Sequence, residues 1–246
     1  MGLVVPAVLP SSREDLEKKL ALLSRIPSVS RVQIDVVDGR FASPASWPYF
    51  AKATQGTPYP ELEAMVQKGE MLPHLDRLAY EVDLMCLDAE RMAEAWLALG
   101  ATRLTFHAES TTDICRLLAS ARRRYGAGDG FVSGLISFGV AINLASDLAL
   151  IEPCLYEVEY VQFMGIARIG SQGQPFDRGV VEKVRVFHAR HPELPIQVDG
   201  GISLPSAREL VALGVSDLVV GSDILKAHDP SAEFAKLESL ESPYGV

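Results

Sequence analysis

The sequence predicts an α/β chain folded as a single (β/α)8 TIM barrel over residues 1–246. Three observations lead there. Short β-branched apolar runs alternate with amphipathic or charged segments eight times. A length of 246 residues with 48% hydrophobic and 22% charged side chains suits one large core. The first apolar run is followed by Pro6-Ala7-Val8-Leu9-Pro10 and not by a G-x-G-x-x-G dinucleotide fingerprint. Eight βα units at this length favour a closed parallel barrel over an open doubly wound sheet.

Taken in order, the first strand is expected over Leu3 to Val8, with a helix beginning near Ser12. The second strand, Arg31 to Val36, opens into an extended excursion at about residues 41–75. This excursion carries Pro44, Pro48, Pro58, Pro60 and Pro73 with Trp47, Tyr49 and Tyr59, and only one helix is expected in it, near Pro60 to Lys68. Ala79 to Leu84 and Arg103 to His107 follow as strands three and four, with helices starting near Asp88 and Thr111. Strand five, Ser137 to Asn143, precedes a helix expected near Ser146, and strand six covers Glu159 to Met164. The next segment, Gly165 to Gln174, combines three glycines with polar side chains, which is the composition of a lid as well as of an ordinary surface loop. A helix near Asp177, strand seven over Ile196 to Asp199, a helix from Leu204, strand eight over Asp217 to Gly221 and a helix near Ser231 complete the pattern. Several helix starts carry a Ser, Thr or Asp able to cap the first turn.

A formal net charge of −9 argues against nucleic acid as the partner, because a phosphate backbone requires a basic face. Cys86, Cys115 and Cys154 are widely spaced and lack paired metal-ligand spacing, which suits a reducing compartment. Met1 to Pro6 shows no basic segment before an apolar core, and no apolar run reaches the roughly 18 residues of a membrane span. A cytoplasmic location and no membrane partner are therefore expected.

Chemistry concentrates where apolar strands end. Val198-Asp199-Gly200-Gly201-Ile202 and Val219-Val220-Gly221-Ser222 end in small residues whose backbone amides can approach an anion, so Gly200, Gly201, Gly221 and Ser222 read as a two-part phosphate cup. Gly173 in the sixth loop is a further candidate. Strand periodicity puts Gln33, Asp35 and Val37 on one face of strand two. Asp83 ends strand three and Asp199 ends strand seven, so three carboxylates converge on one mouth. A lone aspartate at a strand end serves equally as a cap or a loop hydrogen-bond partner. Three buried together call for a shared cation. Asp38-Gly39 reads as turn chemistry, and Glu81 and Glu109 as outlying or surface groups.

These residues resemble a known family. Ile34-Asp35-Val36-Val37-Asp38-Gly39-Arg40-Phe41, Asp83-Leu84-Met85, Thr105-Phe106-His107-Ala108-Glu109, Met164 through Phe176, Val198 through Ile202 and Val220-Gly221-Ser222 are similar, in matching order, to the ribulose-phosphate 3-epimerases. The resemblance implies that Asp35 and Asp199 are the two acid/base groups and also hold a divalent metal. It implies that Gly200, Gly201, Gly221 and Ser222 take the substrate phosphate, and that Met85 and Met164 line the reacting face. It carries departures too: Gln33 and Asp83 stand where the family has metal-binding histidines, Ala7 replaces a serine, and Val37 replaces a methionine. The sixth loop lacks the family's Asn-Pro-Gly-Phe run and is one residue longer.

The implied reaction inverts the carbon next to the ketone of a pentulose 5-phosphate by two-carboxylate, metal-assisted proton transfer. With Gln33, Asp35, Asp83 and Asp199 as the metal set, all donors are oxygen, which favours magnesium or manganese over zinc. His107 is a candidate to orient a substrate hydroxyl, with a packed strand-end histidine as the alternative. A decarboxylase or aldolase of the same superfamily is a second reading: Asp83 and Asp88 fit its Asp-x-Lys-x-x-Asp segment, but Met85 takes the lysine position. A non-catalytic sugar-phosphate-binding barrel is a third. A homo-oligomer is compatible with the sequence, and the proline-rich excursion would serve either as its interface or as a cover for its own barrel.

Overall fold

Parallel pairing runs from each strand to its sequence neighbour, and the eighth returns to the first, giving the closed order β1-β2-β3-β4-β5-β6-β7-β8. The computed structural model describes residues 3–49, 59–126 and 135–240. The strands are β1 (Leu3–Val8), β2 (Arg31–Val37), β3 (Ala79–Met85), β4 (Arg103–His107), β5 (Ser137–Ile142), β6 (Tyr160–Met164), β7 (Ile196–Asp199) and β8 (Asp217–Val220). The outer helices are α1 (Arg13–Leu23), α2 (Pro60–Gln67), α3 (Ala89–Ala98), α4 (Ile114–Ala121), α5 (Gly179–Arg190), α6 (Leu204–Ala212), the short α7 (Ser222–Leu225) and α8 (Pro230–Glu238). The expected (β/α)8 barrel is thus the observed fold.

Strand alternation divides the interior. Outward positions such as Val32, Ile34, Val36, Val82, Leu84, Leu104 and Phe106 join the helices in one continuous apolar core. Inward positions are far more polar: Gln33, Asp35, Glu81, Asp83, Thr105, His107, Gln162, Gln197, Asp199 and Asp217 are all buried. Registers fix their heights, with Gln33 opposite Glu81 and Asp35 opposite Asp83, and Met164 opposite Asp199.

Two expectations about elements are corrected. No α-helix follows β5. Instead, two 3-10 segments, Leu148–Leu150 and Glu152–Glu157, make the crossover. Pro153 has no amide hydrogen to give an α-helical bond, and Cys154 beside it leaves helical geometry at φ −126°. The second correction concerns Glu81, which is not a surface group: it is fully buried and ion-paired with Arg103 at 2.9 Å and with Arg31 at 3.4 Å.

The described parts of the excursion fold over their own barrel. Trp47 packs edge-on against Trp96 of α3, with ring centroids 5.8 Å apart, and its indole donates to Glu61 on α2 at 2.7 Å. The Ser46 hydroxyl accepts from the Val37 amide and donates to the Asp35 carbonyl, which pins the end of β2. Residues 50–58 lie outside the described part. No helix among the described residues is long and apolar enough to cross a membrane.

Candidate active site

At the C-terminal end of the strands, Asp35, Asp83 and Asp199 each offer a carboxylate oxygen within 4.8 Å of the others, and all three side chains are buried. Asp35 and Asp199 line a narrow cavity of about 50 Å³, bounded also by Ala7, Met85, Met164, Ile166, Gln172, Gly173, Gly200, Gly201, Gly221 and Ser222, and Asp83 lies behind them, fully buried. Met85 and Met164 form apolar walls of the cavity. Val37 and Met85 continue upward into an apolar patch with Ala42, Phe41, Leu9 and Ile169.

Three glutamines brace the acids from below. The Gln33 amide nitrogen donates to Asp35 Oδ1 at 2.8 Å and to Asp199 Oδ2 at 2.9 Å, joining two carboxylates from opposite sides of the barrel. Gln162 donates to Asp83 Oδ2 at 3.0 Å. Gln197 donates to the amide oxygens of Gln162 at 2.7 Å and Gln33 at 3.3 Å, and also to Glu81. Gln33 and Gln162 turn their NH2 groups to the acids and their oxygens to Gln197.

Electrostatics follow from this crowding. Burial, then the charge of Asp83, pushes the Asp35 carboxyl up to about 7, although Gln33 and Gln172 partly offset the rise by donating to it. Asp199 is raised well above the ordinary carboxylate range by burial and by the charges of Asp35 and Asp83. His107 bonds Asp83 Oδ1 through Nε2 at 2.8 Å. Burial disfavours its imidazolium, but the adjacent Asp83 outweighs that and raises its pKa.

His107 itself does not line the cavity. It is fully buried, with the Phe41 ring 5.4 Å away, so the packed strand-end alternative describes it. Asp38 is turn chemistry as expected, accepting from the Arg40 and Phe41 amides at 2.7 Å each. Glu109 accepts from the Asn143 amide at 2.8 Å.

The glycine rim begins directly beside Asp199. Gly200 and Gly201 have φ of +109° and +67°, a left-handed pair that turns the chain out of β7. A Cβ on Gly201 would meet the Phe176 amide nitrogen at 2.5 Å. Gly221 caps the four-residue α7, and Gly173 of the sixth loop completes the rim. The residues that sequence reasoning missed are Gln162, Gln197 and Gln172. The first two carry a readable signal, since each is a polar residue on the inward parity of an apolar strand, and Gln197 stands two residues before Asp199 just as Gln33 stands two before Asp35.

Fold and site together define a (β/α)8 barrel whose mouth sets an acidic cluster against a glycine rim. The chain belongs to the ribulose-phosphate 3-epimerase family, whose model matches residues 61–225. It is 30% identical over 178 residues to the ribulose-phosphate 3-epimerase of Aquifex aeolicus, covering 70% of this chain and 75% of that one. To the ribulose-phosphate 3-epimerase of Schizosaccharomyces pombe it is 23% identical over 237 residues, covering 96% and 92%. Among solved structures, the fold is similar to 3-hexulose-6-phosphate synthase from Salmonella typhimurium, with a TM-score of 0.64, 16% identity and 98% of each chain covered.

Proposed function

We propose that this protein epimerises a pentulose 5-phosphate at the stereocentre next to the ketone, with Asp35 and Asp199 exchanging protons on opposite faces of the sugar. One observation carries the reading: two buried carboxylates from β2 and β7 share a single amide donor and line a cavity rimmed by glycine. Without a cation, burial raises the Asp35 carboxyl to about 7, so this group can hold a proton as well as give one up. Asp199, raised by the same burial, is suited to carry the proton returned to the other face. Gly200, Gly201, Gly221, Ser222 and Gly173 take the phosphate and fix the sugar between the two acids. Met85, Met164 and Ile166 keep water from the reacting carbon.

Family membership implies a divalent metal, and the donor set fits one. Asp35, Asp83 and Asp199 would hold it, and their oxygen-only character favours magnesium or manganese over zinc. When bound, the cation supplies positive charge that offsets the oxyanion developing on the enediolate. Gln33 and Gln162 hold the carboxylates in place from below, and His107 steadies Asp83. The decarboxylase or aldolase reading finds no support in the site. Asp88 accepts from Tyr49 away from the cavity, and no lysine is among the cavity-lining residues described.

The test is solvent exchange. In deuterium oxide with magnesium or manganese, ribulose 5-phosphate is expected to take up deuterium next to its ketone, and Asp35→Asn and Asp199→Asn are each expected to abolish uptake. Absence of exchange with magnesium, manganese and zinc alike overturns the epimerase. Binding without exchange would point to the sugar-phosphate-binding barrel instead.

A further inference from the structure

The side chain of Gln172 crosses the mouth of the cavity. It leaves the loop between β6 and α5, on the β6 side of the barrel, and its amide nitrogen reaches Ala7 O at 3.1 Å on β1 and Asp35 Oδ2 at 3.4 Å on β2. On the way it lies against the glycine rim: a Cβ built on Gly221 would sit 2.5 Å from the same nitrogen. One carboxamide therefore occupies the line from Gly221 and Ser222 to Asp35. A sugar phosphate seated with its phosphate on the rim and its reacting carbon at Asp35 must run along that line.

We infer that Gln172 is a specificity-determining residue that discriminates by ligand length. A ligand can enter only by displacing the carboxamide and giving up its two hydrogen bonds. One that fills the rim alone gains nothing at Asp35 to offset that loss, whereas one that spans from the rim to Asp35 replaces the lost donor with its own hydroxyl. Gln172 is only half-buried, so its side chain can swing out while the loop backbone stays held, with Gly170 packed against Ser43 and the Gln174 amide donating to the Ser171 carbonyl at 2.8 Å. The β1 carbonyl of Ala7 is one of the two acceptors. The inference rests on the proposed phosphate role of the glycine rim, but not on epimerase activity.

The experiment measures binding of inorganic phosphate and of ribulose 5-phosphate by calorimetry to the full chain and to Gln172→Ala and Gln172→Glu. In Gln172→Ala, phosphate is expected to bind on the order of ten-fold more tightly, the equivalent of one to two modest hydrogen bonds no longer broken. Ribulose 5-phosphate should change by less, so the preference for the longer ligand narrows. Gln172→Glu keeps the reach but adds a charge beside Asp35 and the anion, and should weaken phosphate binding. If phosphate binds Gln172→Ala no better than the full chain, or binds neither, the assignment is overturned. If phosphate tightens as expected but ribulose 5-phosphate binds neither protein, the length discrimination by Gln172 stands while the pentulose reading of the site falls.

Discussion

Asp35 and Asp199 sit on strands that are far apart around the barrel, yet one Gln33 nitrogen bonds both. Both acids are raised, first by burial and then by the charge of neighbouring carboxylates, Asp83 in the case of Asp35. The sign of the consequence can be worked out for Asp35. Its carboxyl holds a proton up to about 7 in the folded chain, whereas an unfolded aspartate titrates at about 4. Between those values the native state binds more protons than the unfolded state, so this group lowers stability as pH rises. Asp35→Asn removes it. With divalent cations chelated, the urea midpoint of Asp35→Asn should gain on that of the unaltered chain as pH is raised from about 4 to about 7. A difference that stays constant over this range would show that the acid is not raised. At this scale the acids were legible, because strand parity and position at strand ends select them. Gln33 was placed correctly on the inward face of β2, but its contact with Gln197, adjacent in space and far away in sequence, was not legible. Gln172 was beyond reach altogether, since nothing in a glycine-bracketed loop reveals which side chain turns inward.

The elements show why some side chains had to be small. Gly139 on β5 faces inward opposite Tyr160 on β6, and a Cβ there would overlap the tyrosine ring. Tyr160 is not free to retreat: its hydroxyl shares a hydrogen bond with Thr105 at 2.7 Å, and the Arg103 guanidinium lies 3.5 Å from the ring centroid. Gly139→Ala should therefore overpack the barrel and cost about 2–3 kcal/mol. Urea unfolding monitored by tyrosine and tryptophan fluorescence checks this, and a loss below about 0.5 kcal/mol, as at an ordinary surface position, would mean that the strand shifts freely to accommodate the methyl group. The strands were read from sequence almost to the residue because β-branched runs with sharp polar ends leave little latitude. Helices were read less well. That after β5 failed on Pro153, and α7 went unseen because Ser222 to Leu225 is too short to display a helical period.

Along the axis of the whole barrel, charge is arranged in tiers. At the N-terminal ends of the strands, Arg31 and Arg103 balance Glu81 and Asp217, with Arg31 bonded to Asp217 at 2.7 Å and Arg103 to Glu81 at 2.9 Å. Three glutamines form the middle, and the acids form the top. The lower tier is neutral as a set, so its stability depends on keeping the set complete. Glu81→Met leaves two largely buried guanidinium groups with one carboxylate, and should cost about 2–4 kcal/mol. Glu81→Met combined with Arg103→Met leaves the Arg31–Asp217 pair intact and neutral, so the double variant should lose less than the sum of the two single losses and be at least as stable as Glu81→Met alone. Equilibrium unfolding of all three variants decides the matter, because strict additivity would mean that the four charges act as isolated surface pairs. Gln197 links this tier to the site, accepting from Arg103 at 3.3 Å and donating to Glu81 and to both upper glutamines. Loss of Glu81 therefore removes a partner that holds Gln197 in its present sense. The Glu81→Met variant should lose divalent-cation affinity as well as stability, even though Glu81 lies one full tier below the carboxylates that would bind the ion.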